Sequence, residues 1–327
     1  MIEGAPFLVE YQRRGGTLAI DRINDDLQGT TEQYRRGWLV NQSFNECLYL
    51  SSGDFCVLSF CYEPTTINVP ENNPIFLLYR PQVKGSELTP IWLGDWKFDW
   101  KMIKPFYLNG STYLLSYSPA LVLGDATAAI DKVASDGKGT TEVWRTEDWS
   151  NDWEFIEPFY MNGNTYVMYF ATSTGIVFDQ VNANGQGTTE LYRSSQLYNA
   201  MILKIFYNGG KTYVLMYYSS SRWEIYQIRD DLQGLTFVVQ GKWGMPTTLL
   251  RSPWYAIEPF YKGNDVYFFA SDAVPLSGAS GCTVGIGQFD PGGKTINSLW
   301  NGEWSGDWTD VKPFYAPPKP YPPIIPG

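Results

Sequence analysis

The stretch Trp149–Arg193 decides the fold, because its parts recur along the whole chain. Each part is a short run of alternating apolar and polar residues that ends in a turn rich in Asn, Asp or Gly. This pattern is typical of antiparallel strands joined by hairpins, and it predicts a unit of four strands. The four runs are Phe155-Ile-Glu-Pro-Phe-Tyr160, Thr165-Tyr-Val-Met-Tyr-Phe170, Ile176-Val-Phe-Asp-Gln-Val181 and Thr188-Thr-Glu-Leu-Tyr-Arg193.

The tyrosine that ends the first run serves as a marker for the repeat. It recurs along the chain at intervals of 47 to 58 residues, as expected for one structural unit with loops of variable length. The six marker tyrosines are Tyr49, Tyr107, Tyr160, Tyr207, Tyr261 and Tyr315.

The two ends of the chain complement each other. The chain begins in mid-repeat, since Phe7-Leu-Val-Glu-Tyr11 resembles the second-strand sequence Tyr113-Leu-Leu-Ser-Tyr117, and it ends with a surplus first strand, Asp310–Tyr315. Pairing the last strand with the first unit removes two open sheet edges. The sequence therefore predicts an all-β protein, a six-bladed β-propeller of four-stranded antiparallel blades closed by its C-terminal strand. We expect one domain over residues 1–315 and a Pro-rich, extended tail over residues 316–327.

Charges alternate at the position three residues before each marker tyrosine. If equivalent positions of neighbouring blades approach each other, an even ring of alternating charges has only opposite-charge neighbours, whereas an odd ring forces one like-charge pair. We therefore expect the six side chains to meet across blade boundaries or around the central channel. In chain order they are Glu46, Lys104, Glu157, Lys204, Glu258 and Lys312.

Composition excludes several classes of function. The formal net charge of −10 argues against binding to nucleic acid, which requires a basic surface. The chain has no histidine, which excludes histidine-dependent triads and most zinc sites. Neither a signal peptide nor an apolar stretch of membrane length is present, so we expect a protein that is cytoplasmic or released without a classical signal peptide, with no membrane insertion.

The sequence gives no indication of a metal or cofactor. The four cysteines, Cys47, Cys56, Cys61 and Cys282, contain no CxxC motif, and we expect free buried thiols, with a disulfide involving Cys47 as the alternative. The Gly-rich turn Asn24–Gly29 and its repeats offer too few ligands for calcium and are better explained as hairpin turns.

Four tryptophans occupy one repeat position, seven residues before a marker tyrosine. In two units this position holds Gln42 and Ala200 instead. Core positions should be filled in every blade, whereas ligand positions can be lost blade by blade, so the pattern suggests an exposed role; packing between blades is the alternative. The four residues are Trp100, Trp153, Trp254 and Trp308.

A second motif, Thr-Thr-Glu-x-aromatic-Arg, occurs in three units. An aromatic face together with a charged donor and acceptor can bind a sugar. Residues three apart on a regular strand point to opposite faces, so each such site would need a residue from the neighbouring blade. Surface ion pairing is the alternative. The motif pairs are Glu32 with Arg35, Glu142 with Arg145, and Glu190 with Arg193.

Segments such as Thr17–Glu32 and Trp304-Ser-Gly-Asp-Trp-Thr-Asp-Val-Lys-Pro-Phe314 resemble the tandem repeats of bacterial and fungal β-propeller lectins. The resemblance implies sugar sites between neighbouring blades, for fucose or related monosaccharides. It would place the four tryptophans and the three arginines in those sites.

The sequence thus leads us to expect a non-enzymatic, multivalent lectin whose partners are glycans or glycoconjugates, with no catalytic residues. A small-molecule or pigment carrier and a protein-interaction scaffold are alternatives. A hydrolase or lyase based on carboxylates would need one carboxylate cluster that breaks the repeat, and we identify none in the sequence.

Overall fold

A computed structural model of the chain describes most of its residues. The described residues are 5–12, 16–37, 42–61, 75–81, 88–95, 100–119, 126–150, 152–194, 196, 198–243, 254–272, 281–292, 294–305, 308 and 310–316. Of the predicted tail, only Ala316 lies among them, as the last residue of a strand. No helix in this described part is long and apolar enough to cross a membrane.

The strands form six antiparallel sheets of four strands each, and the predicted fold is confirmed. Blade 1 contains β24 (Asp310–Ala316), β1 (Ala5–Gln12), β2 (Thr17–Ile23) and β3 (Thr30–Gly37). Blade 2 contains β4 (Gln42–Tyr49), β5 (Phe55–Cys61), β6 (Ile75–Pro81) and β7 (Leu88–Asp95). Blade 3 contains β8 (Met102–Leu108), β9 (Ser111–Ser118), β10 (Ala126–Val133) and β11 (Thr140–Trp149). Blade 4 contains β12 (Phe155–Met161), β13 (Asn164–Ala171), β14 (Gly175–Val181) and β15 (Thr188–Arg193). Blade 5 contains β16 (Ile202–Asn208), β17 (Lys211–Tyr217), β18 (Arg222–Ile228) and β19 (Leu235–Lys242). Blade 6 contains β20 (Ala256–Lys262), β21 (Asp265–Ser271), β22 (Gly281–Asp290) and β23 (Thr295–Ser305).

Blade 1 closes the ring, as the two chain ends predict. Strand β24 pairs antiparallel with β1, in a register that sets Phe7 opposite Phe314. The two rings stack with centroids 5.3 Å apart, and Phe314 also stacks on Phe55 of blade 2 at 4.1 Å. The closing strand is therefore held both by its hydrogen-bond ladder and by aromatic packing toward the next blade.

The core lies between the blades rather than within any one of them. Each apolar cluster combines residues of neighbouring blades, as where Phe159 and Phe178 of blade 4 pack with Leu203 and Met216 of blade 5. Because both faces of most strands meet a neighbouring sheet, the inner strands carry apolar residues on both faces. This explains the high aromatic content without requiring exposed aromatic rings.

The marker tyrosines form a continuous hydrogen-bonded ring. The hydroxyl of each accepts a bond from the backbone N–H of the marker tyrosine in the preceding blade, so the six bonds link all the inner strands. The bonds run from Tyr49 N–H to Tyr107, Tyr107 to Tyr160, Tyr160 to Tyr207, Tyr207 to Tyr261, Tyr261 to Tyr315 and Tyr315 to Tyr49, at 2.5 to 3.0 Å.

The Gly-rich repeats are turns between the third and fourth strands of their blades. In blade 1 the N–H of Asn24 donates to the carbonyl of Gly29, and Gly29 has a φ of 122°, which a residue with a side chain rarely adopts. No group of three or more Cys, Asp or Glu residues in the described ranges is arranged to hold a metal ion.

Candidate active site

Six alternating charges surround the central channel, as the sequence predicts. Each ammonium lies within 4 Å of both neighbouring carboxylates, so the ring is complete. The N–O distances are 2.9 Å for Lys104–Glu46, 3.2 Å for Lys104–Glu157, 3.8 Å for Lys204–Glu157, 2.8 Å for Lys204–Glu258, 3.1 Å for Lys312–Glu258 and 3.5 Å for Lys312–Glu46.

The ring lines a cavity of about 200 Å³, together with the residues that follow each charge, among them Cys47 and Pro313. Burial raises the pKa of Glu46, but Lys104 and Lys312 outweigh that effect and lower the pKa to about 2. Burial also opposes the charge of Lys312, but Glu258 and Glu46 raise its pKa well above the usual value. Glu46 and Lys312 are therefore ionised at neutral pH, and the Glu46 carboxylate is a weak base.

Two polar residues break the repeat next to this ring, at the boundary between blades 1 and 2. The position immediately before the ring charge is apolar in five blades (Ile103, Ile156, Leu203, Ile257 and Val311) but is Asn45 in blade 2. The position before that is apolar in five blades (Phe44, Met102, Phe155, Ile202 and Ala256) but is Asp310 in blade 1. The two departures fall beside each other in space.

The two residues form one hydrogen-bonded cluster with Ser59. The backbone N–H of Asn45 donates to an oxygen of Asp310 at 2.6 Å, and the Ser59 hydroxyl donates to Oδ1 of Asn45 at 2.5 Å. Asn45 is 2% exposed and its Nδ2 has no partner among the described residues. This polar cluster with one carboxyl group breaks the repeat and was not identified from the sequence; comparing the repeats position by position would have revealed it.

Asp310 is the member of this cluster that is partly accessible. Burial raises its pKa, Lys312 lowers it and Glu46 raises it, and the balance brings the pKa to about 6. A carboxyl with a pKa near neutrality can accept a proton from water and return it later in the same reaction. By contrast, burial and the charge of Glu46 raise the pKa of Cys47, so its thiol stays protonated and is a poor nucleophile.

The predicted tryptophan platforms are not exposed. Trp100, Trp153, Trp254 and Trp308 are only 1 to 4% exposed and belong to the clusters between the blades. The interpretation of this position as exposed is therefore wrong, and packing between blades is its role. In blade 5, Ala200 occupies the position and is itself buried, while the ring of Tyr198 packs nearby against Phe170 and Tyr226.

The motif glutamates and arginines do not point to opposite faces, contrary to the expectation for a regular strand. A β-bulge lies between them: Asp21 pairs with Glu32 whereas Ile20 pairs with Tyr34, so Gln33 is an extra residue. The bulge returns Glu32 and Arg35 to one face, where they form an ion pair at 2.7 Å. The same bulge and pairing occur at Glu142 with Arg145 and at Glu190 with Arg193.

The structure brings two of these arginines onto predicted tryptophans of their own blades. The guanidinium carbon of Arg35 lies 5.0 Å from the Trp308 ring centroid, and that of Arg145 lies 5.8 Å from the Trp100 ring. In each arginine–tryptophan pair only the outer side of the arginine is open to solvent, because the tryptophan ring beneath it is buried. Sugar binding by the ten predicted residues stays a prediction that these contacts do not test.

The cysteines described by the structure are not paired. Cys47, Cys56 and Cys282 are free thiols, and Cys56 and Cys282 are buried. A disulfide from Cys47 to either of the other two is therefore excluded in this structure. The side chain of Cys61 lies outside the described residues.

No protein-family model and no curated protein matches this sequence. Solved structures do resemble the fold. A periplasmic gluconolactonase from Pseudomonas aeruginosa matches with a TM-score of 0.55 at 11% identity, covering 96% of this chain and all of its own. A proposed 6-phosphogluconolactonase from Bacteroides uniformis matches with a TM-score of 0.55 at 12% identity, covering 93% of this chain and 83% of its own. A Lactobacillus plantarum protein matches with a TM-score of 0.54 at 12% identity over 95% and 100%.

These likenesses show the fold, a propeller similar to those of lactonases. The proteins named among them are hydrolytic enzymes and not lectins, which contradicts the predicted lectin function and the predicted absence of enzymatic activity. Both predictions are wrong. The resemblance to lectin repeats holds only as far as the repeated six-bladed propeller itself.

Proposed function

We propose that this protein hydrolyses small cyclic esters (lactones), with Asp310 as the general base at one end of the central channel. The observation that carries the proposal is Asp310, a partly accessible carboxyl that breaks the repeat and has a pKa of about 6, close to the Lys312 ammonium. The similar propellers named for lactone hydrolysis support the choice of reaction.

Each group has a defined role in this reaction. The Asp310 carboxylate takes a proton from a water molecule, whose oxygen attacks the lactone carbonyl carbon. The Lys312 ammonium stabilises the negative charge that develops on the carbonyl oxygen. When the ring C–O bond breaks, protonated Asp310 gives its proton to the leaving oxygen, so that lactone and water become one hydroxy acid. The Asn45 N–H orients Asp310 and is a positioning group.

The test compares two substitutions of carboxyls that share a raised pKa. Asp310→Asn keeps the shape of the side chain and removes the base, and Asp131→Asn is the matched control. Burial and Glu142 raise the pKa of Asp131 to about 6 as well, but it lies on a third strand, away from the channel. Acid release from δ-valerolactone and D-glucono-1,5-lactone is followed with a pH indicator, after subtraction of spontaneous hydrolysis.

We expect turnover by the native protein that rises with pH through about 6. Asp310→Asn should reduce kcat by roughly 10²- to 10⁴-fold, and Asp131→Asn should retain it. Thermal unfolding of both variants checks that they fold. Absence of turnover by the native protein, or equal turnover by a folded Asp310→Asn variant, would overturn the proposal.

A further inference from the structure

The residues immediately before the inner strands form a rim at the end of the channel where Asp310 lies. In blades 3 to 6 these residues occupy equivalent places, because the N–H of each donates to the carbonyl of the residue near the end of the adjoining second strand. The bonds are Lys101 to Tyr117, Glu154 to Phe170, Met201 to Tyr217 and Tyr255 to Ser271, at 2.7 to 2.9 Å. The four rim residues therefore lie at the same level around the channel.

Two of the four described rim residues, in neighbouring blades 5 and 6, are apolar. Met201 of blade 5 is 41% exposed and Tyr255 of blade 6 is 55% exposed. The other exposed large hydrophobic residues among those described are Leu93 and Phe237, and both lie on outer strands. Two exposed apolar side chains at equivalent positions of neighbouring blades therefore offer apolar surface at the same level of the ring.

The next layer along the channel has a similar composition. One residue beyond the rim, the inner strands carry Met102, Phe155, Ile202 and Ala256, and the only charged residue at this level is Asp310. Met102, Phe155 and Ile202 pack into the clusters between the blades, so the accessible apolar surface here is the pair Met201 and Tyr255, and the polar group is Asp310. A site for a small molecule usually combines apolar surface with a few placed polar groups. Blade 6 contacts blade 1 through β20 and β24, so Tyr255 belongs to the rim segment adjoining Asp310.

We propose that the lactone hydrolysed at this site carries an alkyl or acyl chain, and that Tyr255 and Met201 hold that chain on the rim. This inference rests on the proposed lactone hydrolysis and names its substrate class. The alkyl or acyl chain of the substrate extends from Asp310 across blade 6 to blade 5. In blades 3 and 4 the rim instead carries the exposed charged residues Lys101 and Glu154, which stay hydrated. A sugar lactone, whose ring carries several hydroxyl groups and a hydroxymethyl group, gains little from these apolar rim residues.

The test measures kcat/KM along the series δ-valerolactone, δ-octalactone and δ-decalactone. Transfer of each methylene from water to the rim should raise kcat/KM by about two- to fourfold, and D-glucono-1,5-lactone should be the poorer substrate. Met201→Ser with Tyr255→Ser should remove most of the dependence on chain length. Leu93→Ser with Phe237→Ser is the matched control, since it removes exposed apolar side chains on outer strands, and it should leave the dependence unchanged.

Binding of the corresponding lactams, which resist hydrolysis, is measured by calorimetry and keeps the test independent of turnover. If no lactone reacts, but lactam affinity still rises with chain length and falls in the rim variant, the proposed reaction is overturned and the apolar site is not. Hydrolysis without chain-length dependence would overturn this inference alone, as would a dependence that survives in the rim variant. Lactams that bind without regard to chain length would also overturn it.

Discussion

The hydroxyl of Tyr49 accepts a hydrogen bond from the backbone N–H of Tyr315 at 3.0 Å, and donates one to the Tyr315 carbonyl at 3.2 Å. Tyr49 lies on the inner strand of blade 2, and Tyr315 lies on the closing strand of blade 1. This pair completes the tyrosine ring at the place where the chain itself is not continuous. The hydrogen bonds between blades are thus the same at the closure as elsewhere in the ring.

Tyr49→Phe should destabilise the protein, because it leaves the N–H of Tyr315 without its acceptor in a buried environment. The expected loss in the free energy of unfolding is about 1 to 3 kcal/mol, measured by urea denaturation. Tyr160→Phe removes the equivalent bond within the continuous chain and should cost a similar amount. Tyr255→Phe, which removes an exposed hydroxyl, is the control. An unchanged midpoint for Tyr49→Phe would contradict a structural role for the ring.

The charge ring predicts an unusual response to charge reversal. For an isolated ion pair, exchanging the two residues restores the attraction. In the ring, Glu157→Lys with Lys204→Glu would set the new lysine beside Lys104 and the new glutamate beside Glu258. The double variant should therefore remain destabilised by several kcal/mol, since breaking a buried pair typically costs about 3 to 5 kcal/mol.

The exposed pair Arg229–Asp231, at 2.7 Å, offers the control for this experiment. Its double reversal should recover most of the stability of the native protein, because an exposed ion pair contributes little. Thermal and urea unfolding of the two double variants give the comparison. Full recovery by the reversed ring pair would mean that the contacts act as separate pairs rather than as one ring.

Asp179→Asn should stabilise the protein at neutral pH. Burial raises the pKa of Asp179, the hydrogen bond from Thr188 lowers it and Glu190 raises it, and the result is about 6, against 3.8 ordinarily. The folded protein therefore binds this proton more tightly than the unfolded chain, so the contribution of Asp179 to stability falls as the pH rises from about 4 to 6.

The expected gain of the Asn variant is on the order of 1 to 2 kcal/mol at pH 8, disappearing near pH 4. Unfolding free energies measured across this range for both proteins give the difference. Glu190→Gln, at a surface position that is about half exposed, should change the pH dependence far less. A gain that is the same at pH 4 and pH 8 would show that the charge of Asp179 is not its cause.

Much of the fold could be predicted because the same sequence pattern recurs in every blade. The marker tyrosines and the complementary chain ends determine the blade number and the closure, and the alternation of Glu46, Lys104 and their equivalents predicts the ring. These are single positions that recur in every blade, so a local pattern carries global information. The β-bulge at Gln33 could not be predicted in this way. It changes the face of the sheet on which Arg35 lies, but no characteristic residue type marks its position.

The site was harder to predict for two physical reasons. The substitution of Trp153 by Ala200 in the next blade suggested a lost ligand position, but a core can accept a small residue when another side chain, here Tyr198, fills the space. Asp310 and Asn45 are separated by almost the whole sequence. They meet only because the closing strand lies beside blade 2, so comparing the repeats identifies each as an exception, but their proximity appears only when the ring is assembled.

The position of β24 also constrains how the protein is made. Strand β1 is synthesised before its partner β24, and the other twenty-two described strands lie between them in the sequence, so Phe7 can pair with Phe314 only after these strands have been made. Until then blade 1 has an open edge that can pair with another chain, which is the condition under which β-rich proteins aggregate. The same delay keeps Asp310 apart from Asn45, so the candidate catalytic group reaches its place only after β24 has been made.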